Sequence, residues 1–281
     1  MRWLRSSRGL LGTLVLVALA VYLARMPLPS LSALDAPDAG WLAASLMLFV
    51  AANYAFLRGW WHVRGAPGVL AEQGGAWFAS LLARYLPGGF WQVGVRAVGA
   101  RQHGGSAGDA IAVFLVEQGV VCLSLALLAL IAIGAGALAP PQWLVAGLFA
   151  VAVGAAAGVA VASWLRARPF PFRALAWILI GHIALASGIA AVMRSWLPAQ
   201  AATVLAFASS YLIAGLAGIL AILVPAGLGV REAVVVWLMS PELATPAALA
   251  LALFARVWLI GAELLAWLSW TLATAWRRRA R

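Results

Sequence analysis

Apolar runs of about twenty residues, repeatedly bounded by arginine, glycine or proline, constrain this chain more than any other feature. A helix needs about 20 residues to cross the hydrocarbon core of a bilayer. Six runs meet that length, at about 9–24, 41–61, 109–136, 143–165, 174–194 and 246–275. Composition agrees: 65% of the 281 residues are apolar and 10% charged, against roughly 45–50% and about 25% in a soluble domain. No soluble core could bury that excess. The expected fold class is therefore all-α, a polytopic transmembrane helical bundle forming a single membrane domain over 1–281. The run at 9–24 follows Arg2, Arg5 and Arg8 and could pass for a signal peptide, with Ala18-Leu19-Ala20 as a faint cleavage site. An uncleaved first span is preferred, because the arginine distribution works with it in place.

Two further apolar stretches, about 69–101 and 200–240, are each interrupted near their middle. The first carries Leu86-Pro87-Gly88-Gly89 and the second Val224-Pro225-Ala226-Gly227-Leu228-Gly229. Proline removes a backbone donor and glycine permits a sharp reversal. Inside a bilayer such broken backbone is tolerated only where protein or a watery cavity surrounds it. Both stretches are therefore read as re-entrant hairpins or discontinuous helices. For the second, a plain span at 200–224 followed by a short surface helix at 229–240 is the alternative.

The charge is lopsided. Nineteen basic residues face eight acidic ones, a formal +11, and all nineteen are arginine. Such an excess can serve nucleic acid or anionic lipid, but cytoplasmic loops of membrane proteins carry arginine to set orientation. If the six spans cross and both hairpins return to the side they entered, twelve arginines share one side: Arg2, Arg5, Arg8, Arg58, Arg64, Arg166, Arg168, Arg173, Arg277, Arg278, Arg279 and Arg281. Arg25 and Arg194 fall opposite, with Asp35, Asp38 and Glu242. Both termini are thus expected in the cytoplasm, and no nucleic-acid partner is needed.

The two breaks resemble each other. Gly94-Val95-Arg96 follows Pro87 and Gly89, and Gly229-Val230-Arg231 follows Pro225 and Gly227. The prolines lie 225 − 87 = 138 residues apart, close to half the chain. Span, span, hairpin, span then occurs twice, over about 9–136 and 143–275, with opposite starting sides. That is the inverted-topology repeat of many transporters, whose sites lie near the midplane where broken helices meet.

Five arginines remain outside the orientation count (19 − 12 − 2): Arg84, Arg96, Arg101, Arg231 and Arg256. Arginine keeps its proton and is costly in hydrocarbon, so a buried one needs a partner or water. The acidic candidates are Glu117, Glu232 and Glu263. Glu117 lies 117 − 87 = 30 residues after its proline and Arg256 lies 256 − 225 = 31 after the other, so a Glu117–Arg256 pair across the pseudo-two-fold is expected. Arg96 and Arg231, beside helix termini that attract anions, are the candidate phosphate clamp. Snorkelling of both toward the interfaces is the competing reading. Arg101, next to His103, is read as interfacial.

Other signals are weaker. His62, His103 and His182 are dispersed, so no metal site or other cofactor is expected. No nucleophile elbow or P-loop appears, and no catalytic residue is assigned. His182 could relay a proton or simply pack through a hydrogen bond. Cys122 is read as packing. Gly154 and Gly158 form a GxxxG, read as close packing within the bundle. Trp60, Trp61, Trp196 and Trp276 sit at span ends, as interfacial anchors would.

The run Arg84-Tyr85-Leu86-Pro87-Gly88-Gly89, then Gly94, Arg96 and Gly104-Gly105-Ser106, resembles the lysylphosphatidylglycerol synthase transmembrane family, also called flippase-like proteins. So does Val224 to Glu232, and Glu117 and Arg256 match family positions; where the family often has arginine, this chain has Gln118. The resemblance covers about 41–275. It implies a multi-pass protein of the bacterial inner membrane, related to the flippase half of the multiple peptide resistance factor. No soluble synthase domain is expected beyond the last span. The function implied is a translocase for an anionic phosphate-bearing lipid, such as a phospholipid, aminoacyl-phosphatidylglycerol or a polyprenyl-phosphate-linked lipid, with Arg84, Arg96, Glu117, Arg231 and Arg256 binding it. The alternative is a non-transporting membrane partner that binds such a lipid for a separate synthase or glycosyltransferase.

Overall fold

A computed structural model describes residues 36–65, 70–86, 91–102, 104–197, 200–221 and 224–279. The expected first span at 9–24 lies outside these residues, as do Pro87, Gly88, Gly89 and His103. The described residues form nine α-helices: α1 Ala39–Val63, α2 Leu70–Ala83, α3 Trp91–Gln102, α4 Ala107–Gly134, α5 Gln142–Leu165, α6 Phe172–Trp196, α7 Ala201–Leu220, α8 Val230–Met239 and α9 Thr245–Arg279. A single 3-10 turn, Pro225–Gly227, precedes α8. Six of the helices, α1, α4, α5, α6, α7 and α9, are long and apolar enough to cross a membrane.

The ends follow local chemistry. Asp38 caps α1, accepting from the Trp41 N–H at 3.0 Å, and Ser106 caps α4, accepting from the Asp109 N–H at 2.9 Å. Pro141 and Pro171 stand immediately before α5 and α6, where a missing N–H and a preset φ do no harm.

Helix α1 packs along α6 through glycine. A Cβ on Gly181 or Gly188 of α6 would run into the rings of Phe56 and Phe49, and one on Gly59 of α1 into Ile178. Gly119 brings α4 onto Val159 of α5 in the same manner. Gly154 and Gly158 behave differently from the expectation: an added Cβ there meets nothing within 4 Å, so among the described residues this GxxxG faces outward. Trp60 and Trp196 sit at helix ends as expected, but protein covers them, leaving them 5% and 7% exposed; Trp276 is exposed.

The bundle has two distinguishable ends. At one, the Asp38 N–H donates to the Ser195 carbonyl and Arg194 stands over the Trp41 ring. At the other, Arg168 donates to the Arg64 carbonyl and Arg166 lies 3.7 Å from Asp109.

The two broken stretches are antiparallel helix pairs entered from opposite ends. In the first, Arg96 of α3 donates to Ser80 of α2, and Gly99 faces Ala76. In the second, Gly218 of α7 meets Gly227 and Arg231 at the turn, while Thr203 at the far end donates to Glu242 at 3.2 Å. The arms differ in length: α2 and α3 have 14 and 12 residues, α7 and α8 have 20 and 10. Ala201–Leu220 thus has span length, yet 230–239 is not a surface helix, since Val235 and Met239 are fully buried among Phe207, Tyr211 and Leu251.

Candidate functional site

The two chain breaks approach each other. Tyr85, just before the first, and Ala226, within the second, pack on the same buried residue of α9, Ile260. Around this meeting point lies a cavity of about 520 Å³, walled by α1 to α4, α6 to α9 and the second break. Asn53 and His182 line it near the middle of their 25-residue helices.

The second break gets its shape from left-handed backbone. Ala226 has φ 50°, Gly227 φ 65° and Gly229 φ 77°. Gly tolerates this region, whereas alanine is strained there and persists only when its surroundings hold it. Arg256 supplies that hold, donating to the Ala226 carbonyl at 2.7 Å. Gly227 lies so close to Gly218 that a Cβ would sit 2.6 Å from the Gly218 Cα. Gly218 in turn leaves room for the Arg231 side chain to cross α7.

Three buried ion pairs surround the cavity. Arg96 forks onto Glu117, whose Oε1 also accepts from Trp77 at 3.4 Å; its Nε donates to Ser80 at 2.9 Å, and its guanidinium stands 5.1 Å from the Phe114 ring centroid. Arg84 pairs with Glu263, and Tyr85 donates to the other Glu263 oxygen at 3.0 Å. Arg256 pairs with Glu232, which also accepts from the Gly229 N–H at 2.8 Å, the N3 half of a capping box. The expected Glu117–Arg256 pair is therefore not formed. Hairpin geometry brings Arg96 back onto Glu117, and Arg256 is taken by the acid that opens α8.

Arg231 is the exception. It lines the cavity, has no ion pair among the described residues, and its buried Nε has no hydrogen-bond partner. Of the candidate clamp residues, Arg84, Arg96 and Arg231 line the cavity with Glu117, while Arg256 stands behind it. Arg96 also borders a hollow of about 70 Å³ with Arg64, Gln73 and Asp109. Burial, then the nearby Arg96 charge, lower the proton affinity of Arg64. Arg101 lies exposed at the end of α3.

Several lining residues had no motif to mark them. Asn53 donates to the Phe49 carbonyl at 2.9 Å, and His182 Nδ1 meets Ser124 at 2.9 Å while the ring packs 4.8 Å from Phe56. Tyr211, Gln92 and Gln118 complete the polar wall. A lone polar residue inside an apolar run, as at Asn53 and Tyr211, was the available signal. Among the described residues no three His, Cys, Asp or Glu side chains gather as a metal site, and Cys122 is half-buried. Compared with protein-family models, with curated proteins and with solved structures, the chain finds no match in any of the three.

Proposed function

We propose that this protein is a translocase for an anionic, phosphate-bearing lipid. The observation that carries the reading is Arg231, a guanidinium without an ion pair in the wall of a cavity at mid-height of the bundle. A permanently charged group in a low-dielectric setting calls for an anion, and guanidinium matches phosphate oxygens particularly well. The apolar part of the ligand has a matching wall: Leu115 and Leu220 line the cavity and are 64% and 56% exposed on the outer surface. Acyl chains would leave sideways there while the head group stays inside.

In this reading the α2–α3 and α7–α8 pairs are re-entrant, they belong to inverted-topology repeats, and their meeting breaks form the transport site. The arginine-rich end faces the cytoplasm of a bacterial inner membrane. The resemblance of both break motifs to the flippase-like family supports the same assignment.

The test is transfer of a tail-labelled anionic phospholipid between leaflets of liposomes holding the full chain, read by quenching of the outer leaflet. Arg231→Gln is expected to slow transfer about tenfold or more while the variant melts as a folded protein. Equal rates in wild type, variant and empty liposomes overturn the proposal. Saturable lipid binding without transfer assigns the protein to the lipid-presenting role instead.

A further inference from the structure

The cavity wall has a charge of its own that can be counted. Arg84, Arg96 and Arg231 contribute three positive charges and Glu117 and Glu263 two negative ones, leaving 3 − 2 = +1. Arg256 and Glu232, behind the wall, cancel each other. The excess is local to Arg231, because the other two arginines are paired.

Neither carboxylate in the wall is free. Both oxygens of Glu117 are engaged, by Arg96 and Trp77, and both of Glu263, by Arg84 and Tyr85. An ammonium entering the cavity would find no negative partner and would face the Arg231 charge. The remaining polar groups are uncharged. Tyr211, Gln92 and Gln118 make no hydrogen bond among the described residues. Asn53 has spent its Nδ2 on the Phe49 carbonyl, leaving Oδ1. Tyr211 and Asn53 are 5% and 3% exposed, so the cavity is where these groups can be reached. They are donors and acceptors suited to hydroxyls. The volume of about 520 Å³ lies within the range of small-molecule sites, about 300–1,000 Å³.

We infer that the cavity selects a head group bearing one negative charge on a phosphodiester with an uncharged, hydroxyl-rich remainder, and that it discriminates against head groups carrying a free amine. This rests on the translocase reading and names its substrate class. A monoanion brings the wall to neutrality. An aminoacylated or ethanolamine head group adds an unpaired cation, and a phosphomonoester brings a second negative charge that the wall does not balance; unbalanced charge at this depth is expensive.

The experiment uses the full chain in phosphatidylcholine nanodiscs and liposomes, with tail-labelled phosphatidylglycerol, phosphatidylethanolamine, aminoacylated phosphatidylglycerol and phosphatidic acid as probes. Phosphatidylglycerol is expected to bind about tenfold or more tightly than either amine-bearing lipid, and at least as tightly as phosphatidic acid. Gln118→Glu, which introduces a free carboxylate, is expected to reverse the order between phosphatidylglycerol and its aminoacylated form. An amine-bearing lipid that binds wild type as tightly as phosphatidylglycerol overturns the inference without any variant, and so does phosphatidic acid binding about tenfold more tightly. A folded Gln118→Glu protein with the wild-type order also overturns it. If anionic lipids are transferred with no head-group preference, the translocase reading stands and this inference falls. If no lipid is bound or transferred, the translocase reading itself has failed.

Discussion

Arg96 and Arg231 end two copies of a Gly-Val-Arg triplet, but their surroundings have diverged. The chain beyond Arg96 supplies Glu117, and the matching position beyond Arg231 holds Arg256, a cation. The first arginine is therefore neutralised and the second is not. Glu232, next to Arg231 in sequence, serves Arg256 instead. Removing one member of a buried pair strands the other, at a cost of about 3–5 kcal/mol, whereas replacing both by apolar residues of similar volume is often close to neutral. Glu117→Gln is accordingly expected to lower the melting temperature of the detergent-solubilised protein strongly, and Arg96→Met with Glu117→Leu to recover most of the loss. A single and a double variant that melt alike would show the pair to be energetically idle. The identities of the charged residues were legible in the sequence because arginine and glutamate stand out in apolar runs. Their pairing was not: equal offsets from the two prolines pointed to Glu117 with Arg256, and only the return of α3 along α2 decides for Arg96.

At the level of helices, glycine separates positions that look alike in sequence. Gly181 and Gly188 of α6 hold the rings of Phe56 and Phe49, while Gly154 and Gly158 of α5 face open space among the described residues. Inserting side chains into a close-packed contact costs about 1–3 kcal/mol. Gly181→Val and Gly188→Val are expected to destabilise by that amount in thermal unfolding, and Gly154→Ala and Gly158→Ala to change stability by less than about 0.5 kcal/mol. The reverse ranking would mean that α5 packs through its glycines after all. Span positions could be read from run length and bounding arginines, and five of the six expected runs coincide with span-length helices. The difference lies at Ala201–Leu220, where the sequence shows a proline after the helix and cannot say how long the first arm grows before the turn. Close packing of Gly218 on Gly227 and Arg231 sets that limit.

For the whole molecule, the two ends carry different charge. Arg64, Arg166 and Arg168 gather at one, and Asp38, Arg194 and Glu242 belong to the other. With the arginine-rich end in the cytoplasm, single cysteines introduced at Ala135 or Ser240 in a Cys122→Ser background are expected to react with an impermeant maleimide in intact cells. Cysteines at Gly65 or Ala167 should react only after permeabilisation. The opposite labelling would invert the proposed orientation.

Helix α9 holds both breaks: Glu263 takes Arg84 from the first and Arg256 takes the second through Glu232 and the Ala226 carbonyl. The two α9 residues are 263 − 256 = 7 apart, two turns on one face. This has a consequence for how the protein is made. Arg84 leaves the ribosome 263 − 84 = 179 residues before its partner, a wait of about 10–40 s at typical synthesis rates of about 5–20 residues per second. Until the final helix arrives, the first hairpin carries an uncompensated cation, so its settling at depth must await the end of translation, and a ribosome that stalls before α9 leaves behind a chain marked by stranded charge.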